Sequence, residues 1–209
     1  MAKRVIAISR TNGAGGEVVG RLVADTLGFR YVDEEIITRA AEKAGLEPSA
    51  VADVEQRRGL VARIVDGLSR AGGPGGGVGW YIVPSSSEFA RTDDFRTLIL
   101  EAIHETAAAG NVVIVAHAAS MPLAGMEGLL RVLITAPMET RARRAAEESG
   151  VELSEANKAV KASDAARADY FRRFYSIDQE LPTHYDLVLN TDRLDTAQAA
   201  NIVARAARD

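Results

Sequence analysis

The feature that most constrains this chain is a cluster of glycines set between an apolar strand-like run and an amphipathic helix. Val5–Ser9 reads VIAIS, a short run rich in β-branched residues with no polar alternation. That is the pattern of a strand covered on both faces. From Val18 onward apolar residues recur at Val19, Leu22, Val23 and Leu27, which is helical spacing, and Gly28 stands where such a helix stops. Between the two lie Gly13, Gly15 and Gly16. Glycine lets backbone approach a bound group closely and take positive φ. A helix that starts directly afterwards turns unpaired N–H groups and the positive end of its dipole on the same point. Asn12, Gly13, Ala14, Gly15, Gly16, Glu17 and Val18 therefore form a candidate cradle for phosphate, with a glycine turn used only for packing as the alternative.

The turn departs from the lysine-bearing phosphate loop. That pattern ends in Lys followed by Ser or Thr, the lysine reaching the β/γ-phosphates and the hydroxyl reaching Mg²⁺. Aligned on its glycines, this chain has Gly16 at the lysine place, then Glu17 and Val18, so the hydroxyl is missing too. A dinucleotide-type GxGxxG fails as well, because position 18 is Val. Arg10 directly follows the strand and is a candidate to reach bound phosphate and replace part of the missing charge.

The rest of the chain alternates in the same way. Phe29–Val32 reads as a second strand, and Asp33 sits at an N-cap place with Glu34 and Glu35 in the first turn after it. Ser49 to Arg70 has the spacing of a further helix. Gly72–Gly79 (GGPGGGVG) has the composition of a flexible loop, flanked by Trp80, Tyr81 and Phe89, for which core packing competes with base stacking. Asn111–Ala116 and Arg131–Thr135 are strand-like. Pro137 is expected in the first turn of a helix, where its missing N–H costs nothing. Leu153 to Tyr175 follows as a long helix, Tyr185–Asn190 as the last strand, and Thr196–Arg208 as the last helix. Strands separated by helices predict an α/β fold: about five parallel strands with helices on both faces. The expectation is one domain over residues 1–209, with an insert near 72–87.

Composition removes several alternatives. The 209 residues carry a formal net charge of -4, so there is no basic field to attract nucleic acid, and any phosphate site must be local. With no cysteine, disulfides, thiolate metal sites and cysteine nucleophiles are excluded, and three histidines are few for a histidine metal centre. No apolar run approaches the ~20 residues of a membrane span. The expectation is a cytoplasmic protein with no membrane partner and no bound metal cluster. A homo-oligomer is left open.

Four segments carry a family resemblance that extends from Val5 to about Ala207. They are SRTNGAGGEVVGR (Ser9–Arg21), YVDEEIITRA (Tyr31–Ala40), VLITAPMETRARR (Val132–Arg144) and DAARADYFRRFY (Asp164–Tyr175), the last followed by YDLVLNTDRLD. In this order the chain resembles the cytidylate kinase-like family of P-loop nucleoside monophosphate kinases, which is similar in having Gly at the usual lysine place. The resemblance implies a P-loop NTPase fold with a helical lid near residues 153–175. It implies phosphoryl transfer from ATP, with Mg²⁺, to a nucleoside monophosphate, CMP or dCMP by preference. Asp33 and Arg39 match acceptor-side positions, and Arg39 would contact the acceptor phosphate. Asp164 and Arg167 match the Asp-x-x-Arg of the lid, with Asp164 placed to orient Arg167 three residues on. Lys161 and Arg141 are candidates to help Arg167 neutralise the transferring group.

The likeness has gaps. The Gly-Arg-Asp that ends the central strand in the family stands here as Ala116-His117-Ala118, and Val160 replaces an arginine of the lid. His117 is a candidate substitute donor to phosphate. These losses keep two other readings open: a nucleotide-binding protein of the same fold with weak or no catalysis, and a kinase for another small acceptor.

Overall fold

Val5–Arg10 (β1) lies at the middle of the sheet, and from Val5 to Ser9 every residue is buried. Such a strand needs cover on both faces, which is what its unbroken apolar sequence predicts. The computed structural model describes residues 4–33, 97, 100–115, 118 and 120–208. The chain divides into two compact units, Met1–Glu34 with Ile103–Asp209, and Glu35–Ala102. The architecture below is that of the first. The expected helices after Asp33, the glycine-rich segment and its aromatic neighbours lie outside the described residues.

After β1 come the helix Gly16–Leu27 (α1), Arg30–Val32 (β2), Val112–Ile114 (β3) and Leu129–Thr135 (β4). Met138–Ser149 (α2) and Leu153–Tyr175 (α3) follow, then Leu187–Asn190 (β5) and Thr196–Arg208 (α4). Residues 100–108 are also helical. The strands form one sheet in the order β2-β3-β1-β4-β5, and every pairing is parallel. β1 runs alongside β4 from Val5↔Leu129 to Arg10↔Ile134, and β4 alongside β5 up to Thr135↔Asn190. That register brings Arg10, Thr135 and Asn190 to one edge of the sheet, the carboxyl end, where open α/β sheets place their ligands.

The element ends follow from local chemistry. α1 stops at Gly28, whose φ of +65° turns the chain so that the Phe29 N–H returns to the Ala24 carbonyl at 2.9 Å. α4 opens with a reciprocal cap: the Gln198 N–H donates to the Asp195 carboxylate at 2.7 Å, and the Asp195 N–H donates to Gln198 Oε1 at 3.0 Å. Pro137 is the N-cap of α2 rather than a residue of its first turn, since its ψ of 146° is extended. β5 begins at Leu187, two residues later than expected, because Tyr185 closes a 3₁₀ turn over Pro182–His184.

α1 and α4 pack together on the sheet. Ile6 and Ile8 of β1, Val132 and Ile134 of β4, Val19 and Val23 of α1, and Ala199, Ala200 and Val203 of α4 form one buried cluster. At Gly20 α1 comes close to the sheet: a Cβ there would collide with Val115. Small residues on both helices thus let them lie near the strands and each other. Among the described residues no helix is long and apolar enough to cross a membrane.

Ile6→Ala is expected to destabilise the protein by roughly 2–5 kcal/mol, because it empties a fully buried site. Val188→Ala, at a β5 position that is 40% exposed, is expected to stay within about 0.5 kcal/mol of the parent. Urea denaturation of the two variants checks both.

Candidate phosphate-binding site

The chain leaves β1 at Arg10 and makes a tight loop before α1. The Thr11 N–H donates to the Ile134 carbonyl at 3.1 Å, which holds the loop to the end of β4, and the Ala14 N–H donates to the Thr11 carbonyl at 3.1 Å, which closes the turn. Gly13 and Gly15 both sit in the left-handed region, at φ +79° and +76°. At Gly13 space is also short, since a Cβ would lie 2.6 Å from the Arg141 carbonyl oxygen. Gly15 is the N-cap of α1 and offers no side-chain cap. The helix therefore begins at Gly16, two residues before its apolar periodicity becomes visible. Its first turn accepts at the Gly15 carbonyl, from the Val19 N–H at 3.1 Å. The N–H groups of Gly16, Glu17 and Val18 precede that bond and have no acceptor within the helix.

The carbonyls of the same loop are held by side chains from elsewhere in the fold. Arg167 Nη1 donates to the Arg10 carbonyl at 3.2 Å, Arg141 Nη1 to the Asn12 carbonyl at 3.3 Å, and Thr191 Oγ1 to the Ala14 carbonyl at 2.8 Å. Thr191 is itself fixed by Arg144, which donates to its hydroxyl at 3.1 Å and its carbonyl at 2.7 Å. Alternate carbonyls, at residues 10, 12 and 14, are thus committed to the protein, and the N–H groups of Gly16, Glu17 and Val18 stay without an acceptor in the helix.

The two arginines that grip the loop each carry a carboxylate partner. Arg141 is 6% exposed and donates to both oxygens of Asp164, at 2.9 and 2.7 Å, and through Nε to the Ala136 carbonyl at 2.9 Å. Asp164 therefore does not orient Arg167, as their spacing on α3 suggested. A guanidinium with so little access to water draws the nearest carboxylate, and that carboxylate lies on the neighbouring helix. Arg167 instead pairs with Glu180, at 2.8 and 2.6 Å, and lies 4.8 Å over the Phe171 ring. Burial works to lower the Arg167 pKa, but the bonds and charge of Glu180 override it and the net shift is upward. The Tyr185 hydroxyl also donates to Glu180. Burial, followed by the charge and hydrogen bond of Glu180, pushes the Tyr185 phenol up to about 12.

The remaining expected residues are spread more widely. Arg10 forms an ion pair with Glu17. Asn12 and Val18 are exposed, and Ala14 is buried. Lys161 is exposed on α3 and makes no ion pair among the described residues. Asp33 follows β2 and accepts a hydrogen bond from the Tyr31 hydroxyl at 3.0 Å, while Arg21 lies 4.5 Å from the centre of the Tyr31 ring. Arg39 and His117 lie outside the described residues. No cluster of three or more His, Asp or Glu side chains suited to a metal occurs among the described residues. Glu180 and Tyr185 escape a sequence reading as parts of the site, and Thr191 reads there only as part of the family's turn after the last strand. Thr191 reaches a carbonyl 177 positions away, and Glu180 lies beyond the end of α3, off its periodicity.

A model of the cytidylate kinase-like family matches residues 5–193. The chain belongs to the cytidylate kinase-like family. This cytidylate kinase-like chain is 28% identical to the cytidylate kinase of Staphylothermus marinus over 95% of its own length and 93% of the relative's. Among solved structures, an uncharacterized protein from Eubacterium ventriosum superposes with a TM-score of 0.66 at 16% identity, covering 98% of both chains. Shikimate kinase from Bacteroides thetaiotaomicron superposes with a TM-score of 0.55, also at 16% identity and 98% of both chains. At such identities these structures bear on fold alone, the α/β fold of P-loop type with its five-stranded parallel sheet.

Two measurements test how the loop of this cytidylate kinase-like protein is held. Gly28→Ala, with open space around it, is expected to cost about 1–2 kcal/mol for its positive φ alone. Gly13→Ala is expected to cost more, because the same backbone penalty is joined by overlap with Arg141; paired denaturant titrations compare them. The raised phenol of Tyr185 contributes stability that is complete below the ordinary tyrosine pKa of about 10 and lost as pH rises through about 12. Tyr185→Phe is therefore expected to flatten the stability profile in that alkaline window, as read by melting temperature against pH.

Proposed function

We propose that this protein transfers the terminal phosphoryl group of ATP to a nucleoside monophosphate, with CMP or dCMP the preferred acceptor. The observation that carries the reading is the loop at the carboxyl end of β1. Its carbonyls at residues 10, 12 and 14 are engaged, and it leads without a side-chain cap into the N-terminus of α1. Family membership supplies the class of reaction.

The residues present fit a polyphosphate, since an uncapped helix start and a left-handed glycine at its N-cap are what an anion needs. Mg²⁺ keeps several waters and binds through one or two carboxylates together with substrate phosphates, and Asp33 at the end of β2 would either orient the acceptor or hold the metal through water. The metal would supply charge neutralisation between the phosphates. The Asn12–Val18 backbone would bind donor phosphates, and Arg39 the acceptor phosphate. Arg167 would neutralise the transferring group with help from Arg141 and Lys161, Asp164 holding Arg141 in place. The chemistry asks for placement and charge compensation more than for covalent assistance. Closure of the segment around residues 153–175 over the nucleotides would exclude water. His117 would take the place of the absent arginine on the acceptor side. A soluble, cytoplasmic enzyme with nucleotides as partners completes this reading.

A second reading has its own support. Arg141 and Arg167 are both paired with internal carboxylates, and the loop has neither a lysine nor a hydroxyl where P-loops hold them. A nucleotide-binding protein without turnover would tolerate both.

Phosphorus NMR of the protein with Mg-ATP and each nucleoside monophosphate separates the two. CDP or dCDP is expected to accumulate, and Arg39→Ala is expected to slow its formation roughly ten- to hundredfold, the loss of one charge-assisted contact. Intact ATP with every acceptor would reject the kinase reading.

A further inference from the structure

Gly16 occupies the position at which a P-loop carries its lysine, and its surroundings explain the glycine. A Cβ built on Gly16 would lie 2.5 Å from Arg10 Cβ, 3.0 Å from Arg10 Cδ and 3.2 Å from Arg10 Cγ, so its three nearest neighbours all belong to one side chain. The stem of Arg10 lies across Gly16, and its Nε pairs with the carboxylate of Glu17, the next residue along. Gly13 and Gly15 are glycines because their φ is positive; Gly16 is the first helical residue of α1 and its φ is not in that range. Room, rather than backbone conformation, is what residue 16 must provide. Arg10 cannot move aside to make that room. It is the last residue of β1, in register with Ile134, and its carbonyl is held by Arg167 at 3.2 Å.

The pair that Arg10 makes is suited to exchange. The side chains of Arg10 and Glu17 are 35% and 38% exposed. Ion pairs so open to water contribute little, and a polyphosphate offers an arginine fork more negative charge and more acceptor oxygens than one carboxylate does.

We propose that Arg10 and Gly16 are an exchanged pair: the cation that a lysine at position 16 would supply to the donor phosphates comes instead from Arg10 at the end of β1, laid over Gly16, with Glu17 as the resting counter-ion that the polyphosphate displaces. This rests on the phosphoryl-transfer reading for the identity of the donor, and it adds a phosphate-contacting residue and a reason for the missing lysine. Glu17 competes with the polyphosphate for Arg10, so its charge holds affinity down.

Calorimetric titration of the full chain with tripolyphosphate, Mg-ATP and adenosine tests the proposal. Arg10→Gln keeps the stem and removes the charge; it is expected to weaken tripolyphosphate and Mg-ATP by about tenfold or more while leaving adenosine unchanged. Glu17→Gln is expected to tighten tripolyphosphate. Gly16→Lys alone is expected to lower the melting temperature and lose tripolyphosphate binding, through collision with the Arg10 stem. Because the nearest contact is with Cβ, Arg10→Ala leaves the collision in place, whereas Arg10→Gly removes it. The double variant Arg10→Gly with Gly16→Lys is therefore expected to melt above Gly16→Lys and to bind tripolyphosphate again. Unchanged affinity in Arg10→Gln, or a stable Gly16→Lys protein that binds tripolyphosphate with Arg10 in place, would overturn the exchange, as would a parent protein that binds no tripolyphosphate. A parent protein that binds it through Arg10 but phosphorylates no nucleoside monophosphate would uphold the exchange and reject the kinase reading.

Discussion

A loop that is to present N–H groups to an anion has to dispose of its carbonyls, and in this protein three side chains do so. Arg167, Arg141 and Thr191 take the carbonyls of Arg10, Asn12 and Ala14. Without them each carbonyl would have to find water or turn toward the space meant for the ligand, where its negative end opposes phosphate. The glycines at residues 13 and 15 supply the backbone turns, but the hydrogen bonds decide which way the peptide groups point. The uncapped start of α1 adds its dipole to the same place.

The same contacts tie the loop to α3. Arg141 and Arg167 each divide their donors between a loop carbonyl and a carboxylate: Asp164 on α3 for the first, Glu180 beyond its end for the second. Arg167 is itself a residue of α3. Any displacement of that helix acts directly on the Arg10 carbonyl, and through Asp164 and Arg141 on the Asn12 carbonyl. The Arg141 guanidinium is almost wholly out of water and is also bonded to the Ala136 carbonyl, while Arg167 has Tyr185 and the Phe171 ring as further partners. The side chains of Arg10 and Glu17 take no part in this framework, although the Arg10 carbonyl does. Their ion pair is partly open to solvent.

The fold follows from how the strands are covered. β1 is apolar on both faces and central, the pattern of a strand inside a parallel sheet with cover on each side. α1 and α4 approach it closely because Gly20, Ala199 and Ala200 present little bulk. The carboxyl ends of β1, β4 and β5 then share one edge, and Arg10, Thr135 and Asn190–Thr191 come together from sequence positions far apart.

What the sequence determined by itself is what depends on neighbours a few residues away. The unbroken apolar run set the strand type of β1, the hydrophobic period marked α1, and the glycine cluster marked the loop, because backbone preference and side-chain spacing act over one or two turns. Strand ends were less legible: the 3₁₀ turn that delays β5 depends on how Pro182–His184 folds back on Leu181. The partners of the charged residues were not legible at all. Asp164 and Arg167 share a helix at a spacing that invites pairing, yet each turns to another element, since a buried guanidinium takes the carboxylate that packing brings to it. Likewise Gly16 looks like one more glycine of a flexible turn until the stem of Arg10 is found lying across it. Tertiary structure alone decided these points, because they rest on which atoms the sheet register brings within reach, and that distance is not written in the local sequence.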